Sequence, residues 1–232
     1  GVALTVDNSA TYVDIPVHST SSNGGGHSGG SSGGNAADTQ PPADNTTGSA
    51  VQTGSFRDVN TGNWYYSAVE YVAKKGIMTG ISASSFGPNL DTTRGMIVTI
   101  LYRLENQPTG TEAAAFSDVR AGQYYADAIA WANANGIVTG YGNGLFGPND
   151  AITREQMVAI LYRYAQYKES ASAELTAFSD AASVSGYAVD AMKWANAAGL
   201  INGVTSSKLA PGNSAARAQV ASILMRFCEN IK

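Results

Sequence analysis

Three arginines carry the first chemical signal. Arg94, Arg154 and Arg217 each follow a turn: Phe86-Gly-Pro-Asn89, Phe146-Gly-Pro-Asn149 and Leu209-Ala-Pro-Gly-Asn213. Each opens a run with helical apolar spacing. In the middle run the apolar positions are Met157, Ile160, Leu161 and Tyr164, which form one buried face. The others use Ile97, Ile100, Leu101 and Leu104, and Val220, Ile223, Leu224 and Phe227. A helix's first turn has free N–H groups and partial positive charge, so it favours Asp and Glu over cations. Three arginines at equivalent positions need a reason, and two readings stand. Arginine and helix N-terminus together hold a ligand's anion, a carboxylate or phosphate. Alternatively, each arginine pairs with a protein carboxylate such as Asp118 or Glu155.

Little else points to catalysis. There is no G-x-S-x-G, H-E-x-x-H or P-loop sequence, and residues 56–232 contain no histidine. His18 and His27 are too few for a metal site and read as solvated. Asp58-Val59-Asn60 starts like a calcium loop, but Gly62 and Trp64 break the pattern. The single cysteine, Cys228, reads as a small buried side chain. We expect no enzyme, no cofactor and no metal.

The elements that position the arginines repeat. Phe56, Phe116 and Phe178 begin three units, each opening F-x-D with Asp58, Asp118 and Asp180. An aromatic group follows: Trp64, Tyr65 and Tyr66, then Tyr124 and Tyr125, then Tyr187 alone. A first helix is expected through Ala68–Val72, Ala128–Ala132 and Ala191–Ala195. Gly76, Gly136 and Gly199 stand where a glycine ends a helix. A glycine-rich turn then leads to the second helix, where Thr153 and Gln156 fit a capping box. The fold class is mainly α, with three helix–loop–helix repeats at 56–115, 116–177 and 178–232. One helix pair cannot bury its apolar face alone, whereas three together can. Trp131, Trp194 and Tyr71 lie on the inner helical face and are expected to pack in the core.

Residues 1–18 alternate like a strand and read as the end of a preceding β-rich domain. Residues 19–55 read as a disordered Gly/Ser/Pro-rich linker. A chain starting at Gly1 is expected to be a piece of something longer. The four aspartates of the first 55 residues account for the whole net charge of −4, so the repeats are electrically balanced. That argues against nucleic acid and against an electrostatic membrane anchor. No apolar run approaches a membrane span.

The pattern F-x-D-V…[WY]-Y…A-[VI]-x-[YW]…G-I-x-T-G…F-G-P-N…T-R resembles the S-layer homology domain, over Phe56 to about Ile231. The resemblance implies one pseudo-threefold spindle whose grooves bind a secondary cell-wall polysaccharide, acidic and often pyruvylated. It implies an exported protein held without covalent bonds at the bacterial cell wall or S-layer, with the three-repeat unit monomeric. Arg94, Arg154 and Arg217 would meet the acidic sugar, and Asp58, Asp118 and Asp180 would line the grooves. Tyr and Trp faces suit sugar rings, so Trp64, Tyr65, Tyr124 and Tyr187 join the candidates beside a core-packing alternative. The chain departs from the family's T-R-A-E segment as Thr93-Arg94-Gly95-Met96, Thr153-Arg154-Glu155-Gln156 and Ala216-Arg217-Ala218-Gln219. The second site therefore looks best and the third weakest. A helical-repeat module binding a protein partner is the alternative.

Overall fold

Each second-helix sequence becomes helical at its arginine. In the computed structural model, which describes residues 56–114, 116–166 and 174–231, six α-helices follow in chain order. They are α1 (Tyr66–Lys74), α2 (Arg94–Leu104), α3 (Ala126–Ala134), α4 (Arg154–Tyr164), α5 (Val189–Ala197) and α6 (Arg217–Asn230). Among the described residues there is no strand, only isolated bridges. The expected β-rich segment at 1–18 and linker at 19–55 lie outside them.

The helix stops follow the sequence signals. Gly76, Gly136 and Gly199 all have φ near +70°, a region open to glycine at little cost. The residue after each glycine donates back into the helix, from Ile77 to Val72, Ile137 to Ala132 and Leu200 to Ala195. The glycine N–H bonds one residue further on, to Ala73, Asn133 and Asn196. This is a Schellman ending in all three repeats. The starts are less uniform. Thr153 and Gln156 form the full capping box, while Thr93 caps only through its hydroxyl. Ala216 has no hydroxyl, so only the return bond from its N–H to Gln219 remains.

The helices pair between repeats. Helix α2 packs on α3, α4 on α5, and α6 returns to α1. Each prong is therefore the second helix of one repeat with the first helix of the next, and the last closes the ring. The backbone repeats this closure at the centre. Thr92 N–H donates to Ala215 O, Ala215 N–H to Ile152 O, and Ile152 N–H to Thr92 O. All three residues are fully buried. Trp131 and Trp194 are buried in the surrounding core and Tyr71 packs against it, as expected. Cys228 is half-buried rather than buried.

Candidate ligand groove

The F-x-D aspartates come first because they hold the turns. Asp58 accepts the N–H groups of Phe86 and Gly87, both at 2.8 Å, and the Ser85 hydroxyl. Asp118 accepts from Phe146 and Gly147, and Asp180 from Leu209 and Ala210. For Asp180 these backbone bonds hold the carboxyl below the ordinary carboxylate value. Burial opposes the shift at Asp58, where Ser85 and the two N–H groups prevail. The glycines of the T-G turns complete the clamp. A Cβ on Gly80 would meet two carbonyls and the Phe56 ring within 2.6 Å.

The clamped turn supplies the arginine's partner. Arg94 Nε donates to Phe146 O, Arg154 Nε to Leu209 O, and Arg217 Nε to Phe86 O, at 2.8–2.9 Å. Each bond crosses to the next repeat, and the third returns to the first. The helix N-termini are used in the same way. The N–H groups of Arg94 and Gly95 donate to Asp150 and Pro148, those of Arg154 and Glu155 to Asn213 and Pro211, and those of Arg217 and Ala218 to Leu90 and Pro88. The first donors of each helix N-terminus thus already serve neighbouring carbonyls. The carboxylate alternative also changes. Asp118 is engaged by its turn, and Glu155 accepts from Ser185 N–H, the Ser185 hydroxyl and Tyr187 Oη.

From this common anchor the three guanidinium groups diverge. Arg94 is fully buried, 4.5 Å from the Tyr141 ring centre and 4.7 Å from that of Phe146. Its Nη1 and Nη2 have no hydrogen-bond partner among the described residues. Burial pushes its pKa down, with Tyr141 and Asp150 opposing and Arg163 adding to the fall. Tyr141 donates to Asp150 and is itself pushed up to about 12, mainly by burial. Arg217 lies over the Phe86 ring and also donates to Thr79 O. Arg154 faces repeat three, where Leu209 and Val204 replace the Phe and Tyr that cover Arg94.

Arg154 consequently lines an open groove of about 440 Å³. All three repeats contribute: Trp64 from the first, Arg154 from the second, and the Leu200–Val204 turn, Gln219 and Arg226 from the third. Trp64 is 67% exposed, with Val204 also exposed beside it. Two sequence-selected residues, Trp64 and Arg154, thus meet in one lining that also holds Arg226 and, among the described residues, no carboxylate. Asp180 is close enough to raise the Arg154 pKa against the lowering by burial. The other aromatics are placed differently. Tyr65 packs partly into the core, Tyr124 stands edge-on to Tyr125, and Tyr187 caps Glu155.

Two departures from the repeat pattern fit each other. A Cβ on Gly95 would lie 2.8 Å from Pro148 O and 3.2 Å from the Tyr125 ring, so glycine there matches a tyrosine on the next repeat. At the equivalent Glu155 the next repeat offers Ala188, leaving room for the Glu155–Ser185–Tyr187 bonds. Sequence reasoning missed Arg226, although ILYRL, ILYRY and ILMRF place Arg103, Arg163 and Arg226 identically.

The comparisons agree with the threefold plan. The family model of the S-layer homology domain matches residues 55–95, 115–158 and 177–221. An amylopullulanase of Thermoanaerobacterium thermosulfurigenes is 36% identical over 75% of this chain and 10% of its own length. An exoglucanase of Acetivibrio thermocellus is 34% identical over 75% of this chain and 16% of its own. An S-layer protein of Bacillus thuringiensis subsp. finitimus is 34% identical over 46% of this chain and 13% of its own. The chain therefore spans a small fraction of the curated relatives it matches. Among the described residues, no helix is long and apolar enough to cross a membrane.

Proposed function

The chain belongs to the S-layer homology domain family, and from that premise we propose that its repeats fix an exported protein to the bacterial cell wall without covalent bonds. Family membership and the S-layer relatives make it a cell-surface, cell-wall-associated protein. The bound species in our reading is an acidic unit of a secondary cell-wall polysaccharide, such as a pyruvate ketal, held in the groove at Arg154. One observation carries this reading: an exposed tryptophan and a buried-rooted arginine line one groove drawn from all three repeats. Trp64 offers a sugar ring an apolar face. Arg154, fixed through Nε, presents a planar guanidinium suited to a carboxylate. Residues 56–115, 116–177 and 178–232 act as the three sequence units of one monomeric binding body. The catalytic names of the enzyme relatives belong to proteins that this chain matches over small parts. In our reading the chain is an anchor and catalysis lies outside it.

The test is co-sedimentation of the chain with purified bacterial cell walls, before and after mild acid removal of the secondary polymer. Binding should disappear with the polymer. Trp64→Ala should weaken binding at least several-fold with an unchanged melting temperature, because its ring is mostly exposed. Arg154→Ala should weaken binding further. Binding that survives stripping, or ignores both substitutions, would favour a protein partner instead.

A further inference from the structure

We propose that Arg226 forms a second anion subsite in the Arg154 groove, so that the bound glycan places two negative charges there. This rests on reading the groove as a glycan site. The charges are two acidic substituents on neighbouring sugars or one doubly charged group.

The argument starts from position. Arg226 lies nine residues after Arg217 on α6, about 14 Å along the helix axis at the usual rise. It is therefore remote from the first-turn arginine of its own repeat. It instead lines the groove containing Arg154 of the preceding repeat. Its Nη1 donates to Leu200 O at 3.1 Å, which fixes the guanidinium plane against another lining residue. Among the described residues, the groove lining has no carboxylate beside these two cations. The neighbouring Asp180, which accepts from the Leu209 and Ala210 N–H groups, lies outside the lining and offsets part of the Arg154 charge alone. Two guanidiniums lining one partly desolvated groove offer a ligand two cationic contacts, and bound anions favour the charged form of each.

The sequence position recurs one repeat earlier. Arg163 is the counterpart of Arg226, and it adds to the lowering of the Arg94 pKa, as a nearby like charge does. There Tyr141 and Phe146 cover Arg94. In repeat three, Val204 and Leu209 stand where Tyr141 and Phe146 cover Arg94, which leaves Arg154 and Arg226 in an open lining.

The experiment measures binding of the chain to cell walls that retain their secondary polysaccharide, from about 50 to 300 mM NaCl, a range that spans strong and weak screening. Arg226→Gln should bind roughly tenfold more weakly at low salt, and its affinity should fall less steeply with salt. Arg226→Lys should keep most of the salt dependence. Trp64→Ala should weaken binding with the salt dependence unchanged. Parent-like binding by Arg226→Gln, or weaker binding with an unaltered salt dependence, would overturn the subsite and leave the anchor reading intact. If Trp64→Ala and Arg154→Ala also bind like the parent, the groove reading itself falls.

Discussion

At the scale of single residues, equivalent positions in the three repeats share a backbone and differ in what the side chain must satisfy. Thr92, Ile152 and Ala215 meet at the centre through the same backbone bonds. Only Thr92 brings a hydroxyl, and its Oγ1 is buried without a partner among the described residues. An unsatisfied buried hydroxyl costs about 1–3 kcal/mol. Thr92→Val keeps the shape and removes that cost. We expect it to stabilise the fold by about 1 kcal/mol, raising Tm by roughly 2–4 °C for a body of this size, and a calorimetric scan checks this. An unchanged or lower Tm would mean the hydroxyl is satisfied. The clamp aspartates give a pH prediction. Asp58 and Asp180 titrate below their ordinary value when folded. Their contribution is therefore complete above the ordinary value of about 3.9. It disappears as pH falls through the lowered folded value. Tm should drop in that acid window, and the drop should be shallower in Asp58→Asn and Asp180→Asn. An identical acid profile in the variants would remove the clamps from the stability account.

At the scale of elements, repeat three shows what a missing cap does. Ala216 has φ −68° and ψ 152°, close to the Thr153 cap at −79° and 160°. It lacks only the hydroxyl that bonds the third helical N–H. Ala216→Thr should complete the box with Gln219 and stabilise α6 by about 1 kcal/mol. Chemical denaturation reads this as a higher midpoint with an unchanged slope. The helices themselves were legible in the sequence because their signals are local. The apolar spacing, the Thr153 box and the three terminal glycines all act within one or two turns. The arginines were legible because a cation in a first turn is out of place. Their partners were not, because Phe146 O, Leu209 O and Phe86 O lie one repeat away, and in the last case across the ring closure. Arg226 escaped notice for the opposite reason. Its counterparts Arg103 and Arg163 sit in the last turns of α2 and α4, where a cation suits the helix dipole. The grouping of Trp64 with Arg154 also depended on which helices pair, which periodicity alone does not determine.

At the scale of the whole molecule, the cyclic pairing separates this body from an open array of repeats. In an open array each unit touches only its neighbours, so loss of an end unit leaves the rest standing. Here α6 covers α1, and Arg217 bonds to Phe86, 131 residues earlier in the chain. Removing residues 217–232 would uncover Val69 and Val72 on α1, both fully buried. It would also leave Phe86 O, Leu90 O and Pro88 O without the donors they receive from Arg217 and Ala218. The damage thus falls on the first repeat as well as the third. Repeat one also carries Trp64, so the Arg154 groove would lose a wall from each side. A chain ending at Ala216 should therefore lose cooperative unfolding throughout, and should lose wall binding even though Arg154 is retained. Hydrogen exchange on that truncated chain decides the matter residue by residue. In a closed body, protection should vanish in α1 as fully as in α5. Persistent protection in α1 to α4 with loss confined to repeat three would show that the repeats stand as an open array, and that ring closure contributes little to the fold.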